Sequence, residues 1–162
     1  MDPRLLLAVS RAYPWVEWGV LFRDDLAGTP RYASTKALAD LKVVNDAAGR
    51  PMRLAAHLCG PYCEAVLQGP DAAVPTLRRL ATQYGFKRVQ VNATEANSVT
   101  LLAAAVATGN KAGEGEVDAV VERVRAVIRA LPELEFIIQC NDETAPMWER
   151  IGELGDTSQS SN

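Results

Sequence analysis

No stretch of this sequence comes near the roughly 18 consecutive apolar residues that a membrane-spanning helix needs. No Lys/Arg cluster marks a nucleic-acid face. The 17 basic residues are set against 20 acidic ones, for a net charge of −3, whereas nucleic-acid binders carry a basic stripe. Cysteine is scarce and odd in number. Three thiols, Cys59, Cys63 and Cys140, are too few for a disulfide framework, which points to a reducing cytoplasm. Histidine occurs once, at His57. The opening stretch MDPRLLLAVSRAYPW has no basic region ahead of a long apolar core and makes a poor signal peptide. Internal repeats and low-complexity blocks are absent. What is there is ordinary globular material: 162 residues, 48% apolar and 23% charged, enough to bury one core.

Asp2-Pro3 reads as a helix start, with Asp at the N-cap and Pro at the first helical position. Leu5, Leu6 and Val9 share a face, and Pro14 closes the segment. Val16 to Phe22 alternates as a strand, with Val16, Trp18, Val20 and Phe22 on one side. After a loop, Ser34 caps a helix whose apolar face is Ala37, Leu41, Val44 and Ala48, ended by Gly49. A second strand spans Met52 to Leu58. Helix follows from Pro61, is interrupted at Gly69-Pro70, and resumes at Pro75 with a stripe of Leu77, Leu80, Ala81 and Tyr84. The third strand spans Arg88 to Ala93, and a small-residue helix covers Ser98 to Thr108. NKAGEGE reads as a loop. The clearest helix is next: Val117, Val120, Val121, Val124, Val127, Ile128 and Leu131 recur at helical spacing until Pro132. A fourth strand spans Glu135 to Gln139, and a short helix covers Ala145 to Leu154. Residues 155–162 form a polar, disordered tail, so the expected domain is 1–154.

One helix followed by four βα units implies an α/β fold with a parallel sheet. All four strands alternate, although a sheet covered by helices on both faces reads as unbroken apolar runs. The polar sets are Glu17 with Gly19; Arg53, His57 and Cys59; Arg88, Gln90 and Asn92; and Glu135, Gln139 and Asn141. A barrel lumen explains that pattern, with Glu17, Arg53, Arg88 and Glu135 pairing across it. His57, Cys59, Asn92, Gln139 and Asn141 would then crowd the mouth, where barrel sites sit. The alternative is an open sheet whose polar face meets water. A full barrel takes about 250 residues, so the expectation is an incomplete barrel of about four strands.

His57-Leu58-Cys59-Gly60 is the sharpest local motif. Residues i and i+2 of a strand point the same way, so His57 and Cys59 could bind zinc with Cys63 or Cys140. A His-x-Cys-Gly with a distant Cys resembles the zinc site of barrel thiol methyltransferases. Parity opposes Cys140, which shares a face with Phe136 and Ile138. His57 and Cys59 also make a candidate catalytic pair, although about 7 Å separates such positions along a strand. The alternative for His57 is a hydrogen-bonded structural histidine. Trp15 and Trp18 read as packing residues. Gly113-Glu114-Gly115 is no phosphate loop, because it follows a helix and carries an acid. Asp142-Glu143 could hold a cation or cap a helix.

The segment VEWGVLFRDDLAGTPRYAS, residues 16–34, resembles the second strand and following loop of phosphoribosylanthranilate isomerases, with Thr29-Pro30-Arg31-Tyr32 matching the family's Ser-Pro-Arg-Tyr stretch. LAAHLCG (54–60) and RVQVNA (88–93) are similar to uncharacterised bacterial barrel proteins related to that isomerase. The resemblance implies a TIM barrel, an Amadori-type sugar isomerisation, and an anionic ligand whose carboxylate meets Arg31. The family's base is a cysteine on a strand preceding the first one here. Its aspartate lies on the sixth strand, with only Asp156-Thr157 vaguely similar, and its phosphate cradle is built by the last two βα loops. The resemblance therefore implies a barrel segment, catalytically incomplete as it stands.

The functional expectation is a small anionic ligand, without cofactor or resident metal, held by Arg31, Glu17, Gln90, Asn92, Gln139 and Asn141 around His57 and Cys59. The alternative is a non-catalytic module that completes its sheet by homo-oligomerisation through exposed edge strands. No membrane or nucleic-acid partner is expected.

Overall fold

A computed structural model describes residues 2–22, 35–92, 111–139 and 142; the side chains of 35–37 and 111–114 lie outside the description. Within it, helices and strands alternate: α1 (Pro3–Ala12), β1 (Glu17–Phe22), α2 (Thr35–Ala47), β2 (Arg53–Leu58), α3 (Pro61–Gln68), α4 (Pro70–Tyr84), β3 (Arg88–Asn92), α5 (Lys111–Ala130) and β4 (Glu135–Gln139). The strands form one parallel sheet in the order β1-β2-β3-β4. The Ser34 cap, the helices expected over 98–108 and 145–154, the tail 155–162 and Cys140 lie outside the described residues.

Sequential order in a parallel sheet means every crossover runs the same way, and right-handed crossovers then stack the helices on one face. The burial agrees. Val20, Phe22, Leu54, Ala56, Leu58, Val89 and Val91 share one core with Tyr62, Val66, Leu77, Leu80, Val117, Val124 and Val127 of α3, α4 and α5. Phe22 is the hub of that core near the carboxyl end of β1. Its ring meets Tyr62 and Tyr84 edge-on at 5.7 and 5.6 Å and Phe86 at 6.1 Å, geometries that add to simple burial. The opposite face carries the polar residues, so the helices cover one side of the sheet.

The strands are staggered along their rows. Gly19, Ala55, Arg88 and Glu135 lie in one row, yet β1 and β2 begin two residues earlier, at Glu17 and Arg53.

Local chemistry fixes the ends. Asp2 caps α1 by accepting the Arg4 N–H at 2.9 Å. Trp18 Nε1 donates to Ser10 Oγ at 2.8 Å and ties β1 to α1. Asn45, 2% exposed, joins the end of α2 to the start of β2: its Oδ1 accepts from Met52 N–H at 2.9 Å and its Nδ2 donates to Met52 C=O at 3.3 Å.

Four expectations are corrected. NKAGEGE is not a loop, since α5 begins at Lys111 and takes in both glycines; Gly115 is exposed with open space around it, so the cost is only the intrinsic one, about 1 kcal/mol per glycine. The second helical region resumes at Pro70 rather than Pro75; Pro75 lies inside α4, in its second turn, and forgoes one backbone hydrogen bond, to Asp71 C=O, without ending the helix. The face of α2 is corrected in one respect: Leu41 is buried and Val44 packs against the core as expected, but Leu38 and Asn45 are buried with them. Trp15 is not a packing residue: it is 71% exposed and touches Tyr13 edge-on.

Two outcomes follow from the α2–β2 corner. Asn45→Ala leaves both Met52 backbone groups buried without these partners, so urea unfolding should show a loss of about 1–3 kcal/mol at unchanged m-value. Asp46 hydrogen-bonds Lys42 and, at 2.7 Å, Arg50, and these two contacts, Lys42 first, hold its pKa below the ordinary 3.8. A depressed folded-state pKa gives stability that is present above the unfolded value and lost as pH falls through the folded one. The stability difference between wild type and Asp46→Asn, followed by acid titration, should be constant above about pH 5 and close below about pH 4.

Candidate functional site

The polar face divides along the strand direction. At the amino ends lies an ion cluster. Arg88 Nη1 donates to Glu17 Oε1 at 3.0 Å, and Arg88 Nε to Glu135 Oε2 at 3.1 Å. Glu135 is the row partner of Arg88. Glu17 is not: it sits two strands away and two residues lower, and the guanidinium reaches it across β2, where the row position is the small, buried Ala55. The two carboxylates, through the Glu135 hydrogen bond first and then the attraction of Glu17, raise the pKa of Arg88 above the ordinary arginine value. Arg53 is exposed beside Glu17.

Toward the carboxyl ends the face changes to a histidine, a thiol and amides. His57 and Gln90 are row neighbours, with Leu21 and Ile137 flanking them on the edge strands. Gln90 Nε2 donates to Gln139 Oε1. Asn92 Nδ2 lies 3.7 Å from Cys59 Sγ, and Cys59 N–H donates to Phe22 C=O at 3.0 Å, carrying the ladder one residue past the strand. Gly60 then turns the chain into α3 with φ 50° and ψ −123°, a conformation that only glycine adopts without strain.

His57 has a platform. A β-carbon on Gly19 would lie 2.8 Å from its Nε2 and 2.9 Å from its Cε1. The imidazole therefore rests on the backbone of β1, and any larger residue at 19 would lift it. Sequence reasoning had grouped Gly19 with the polar set without a role. A glycine inside a strand is the signal that could have found it, since it marks a close approach of another group.

The structure thus brings His57, Cys59, Gln90, Asn92 and Gln139 to one end of one face. It sets Glu17 at the other end, engaged by Arg88. Arg31 and Asn141 lie outside the described residues. Of the residues offered for zinc, Cys63 is wholly buried in the hydrophobic core and Cys140 lies outside the described residues. No group of three metal-ligating side chains lies together among the described residues. No described helix is long and apolar enough to cross a membrane. No family model, no curated protein and no solved structure matches the chain.

The platform gives a direct test. Gly19→Ala should alter stability by less than about 1 kcal/mol, because the site is exposed and a histidine side chain can swing aside. The proton resonances of the single histidine should nevertheless shift clearly in the NMR spectrum. An unmoved His57 signal would contradict the contact.

Proposed function

We propose that this chain is a barrel-type βα protein, akin to the phosphoribosylanthranilate isomerases, that binds a small anionic ligand over the carboxyl ends of its strands. The observation that carries the reading is the amide-rich end of the polar face, where His57, Gln90, Asn92 and Gln139 converge beside the thiol of Cys59. Ligands of parallel α/β proteins bind at the carboxyl ends of the strands. Two features support a barrel-type sheet: the two-residue step between the starts of β2 and β3, and the Glu17–Arg88 contact between alternate strands. Closed parallel barrels stagger their strands and build interior layers from alternate ones.

Arg31 supplies the positive charge in this reading, and the amides fix the orientation of the ligand. His57 is the group that takes or gives a proton. Among the described residues the carboxyl-terminal half of this face holds no carboxylate, so the site is built for binding first, and a sugar isomerisation would need a second acid–base group. A reducing, cytoplasmic setting suits the buried thiols Cys59 and Cys63.

The test is a titration with anthranilate, ribose 5-phosphate and inorganic phosphate, followed by the His57 resonance and by melting temperature. At least one probe should move both, and Arg31→Ala or His57→Gln should weaken it tenfold or more, about 1.4 kcal/mol. If none of the three moves either signal at roughly 100 times a millimolar Kd, the reading fails.

A further inference from the structure

The sheet has two outer edges among the described residues, β1 and β4. Their side chains are less covered than those of the inner strands. No residue of β4 is buried, and Phe136-Ile137-Ile138 forms an uncharged run with Ile137 39% exposed. Trp18 of β1 is likewise only partly covered, and Trp15 and Tyr13 stand exposed just ahead of it. Natural edge strands are normally protected by charge, proline or a bulge; here Glu135 is the only charge on β4.

We propose that two copies of this chain join head to tail, β4 of each beside β1 of the other, and close an eight-stranded parallel ring. The proposal rests on the barrel-type tilt inferred above. A two-fold axis along the ring makes both junctions identical and leaves no edge, which is the closed case of a head-to-tail contact. Eight parallel strands close with a total stagger of about eight residues, hence about four per copy. The strand starts rise by two residues between β2 and β3, and a junction that brings the rise to four pairs Glu135 with Trp15 of the second copy, Ile137 with Glu17, and Gln139 with Gly19.

Charge singles out a second copy as the occupant. Interior layers of such a ring take side chains from alternate strands. Glu17 and Arg88 already share a layer, as their 3.0 Å contact shows. The copy continues it as Glu, Arg, Glu, Arg around the ring. The next layer, from β2 and β4, holds Arg53 and Glu135 and also alternates in sign. On the helix side, Phe136 and Ile138 come against Val16 and Trp18 of the second copy, covering the residues left half-buried in one chain. An aromatic-rich, apolar seam is what stable interfaces bury.

The first measurement is the mass of the wild-type chain by light scattering at micromolar concentration. The expected value is twice 17.5 kDa, about 35 kDa; a 17.5 kDa species that melts cooperatively, or open-ended polymers, would overturn the ring. The second is crosslinking. Glu17→Cys/Ile137→Cys should form a reducible dimer in air, while neither single variant does. Positions 17 and 137 of one chain are three strands apart, roughly 14 Å, too far for an internal disulfide. Crosslinking by Leu21→Cys/Ile137→Cys instead would mean an untilted row and would overturn the ring and the barrel-type tilt together. A monomer whose His57 resonance still moves with anthranilate, ribose 5-phosphate or inorganic phosphate would sink the ring alone. Ile137→Lys, at a position already exposed, should return the mass to that of one chain and leave the circular dichroism unchanged.

Discussion

Burial of one face of four strands beneath the helices is the constraint on which everything else here depends. Strand side chains alternate with a period of two, so placing Val20, Phe22, Leu54, Leu58, Val89 and Val91 in the core places Glu17, Arg53, His57, Arg88, Gln90 and Asn92 together on the other side. A slip of one residue in any strand would put a charge under the helices. The aromatic cluster around Phe22 makes such a slip especially costly for β1, because Tyr62, Tyr84 and Phe86 enclose that ring from three neighbouring segments. The polar face is therefore a consequence of the core, and its chemistry is positioned by apolar packing.

Arg88 works within that frame as a device of register more than of stability. Its side chain and both carboxylates are in contact with water, and exposed ion pairs of this kind contribute little and weaken with salt. What the pair of contacts does is geometric. One guanidinium, on β3, links the amino end of its neighbour β4 to that of β1, two strands away across β2. Ala55 permits it, since a longer side chain at that row position would stand in the path of the arginine. Among the described residues the carboxyl-terminal half of the face holds no such charge; there the Gln90 and Gln139 amides bond each other and Asn92 lies against the Cys59 thiol.

Much of the fold was legible in the chain. Strict alternation gave all four strands to within a residue or two, and the valine stripe of α5 was read position by position, because period is a local property. The misreadings share a cause: tertiary context outweighed a local signal. Gly113 and Gly115 read as loop residues, yet the stripe that begins at Val117 carries enough buried area to extend α5 through them. Asn45 occupies a core position of α2 that an apolar count skips, and its role appears only once Met52 is seen beside it. Trp15 reads as a packing residue beside the strand, but it stands exposed ahead of β1 with only Tyr13 as its ring partner among the described residues. At the site, parity gathered His57, Gln90, Asn92 and Gln139 correctly onto one face, whereas the use of Gly19 as a seat for His57 needed coordinates, because it joins residues of two strands.

The seat also bears on what His57 can do. Its imidazole sits so close to the Gly19 backbone of the neighbouring strand that a β-carbon there would crowd it, which makes the glycine part of the site. Gln90 stands beside His57 in the row. Among the described residues the histidine's row neighbours, Leu21 and Gln90, are neutral, and the ion cluster of Arg88 lies toward the amino ends of the strands. A ligand's charge would thus be answered from a loop while its polar atoms are answered by the sheet. That division fits a rigid platform of amides whose specificity is set by the segments above it, the arrangement that lets one sheet serve different ligands by changing loops alone.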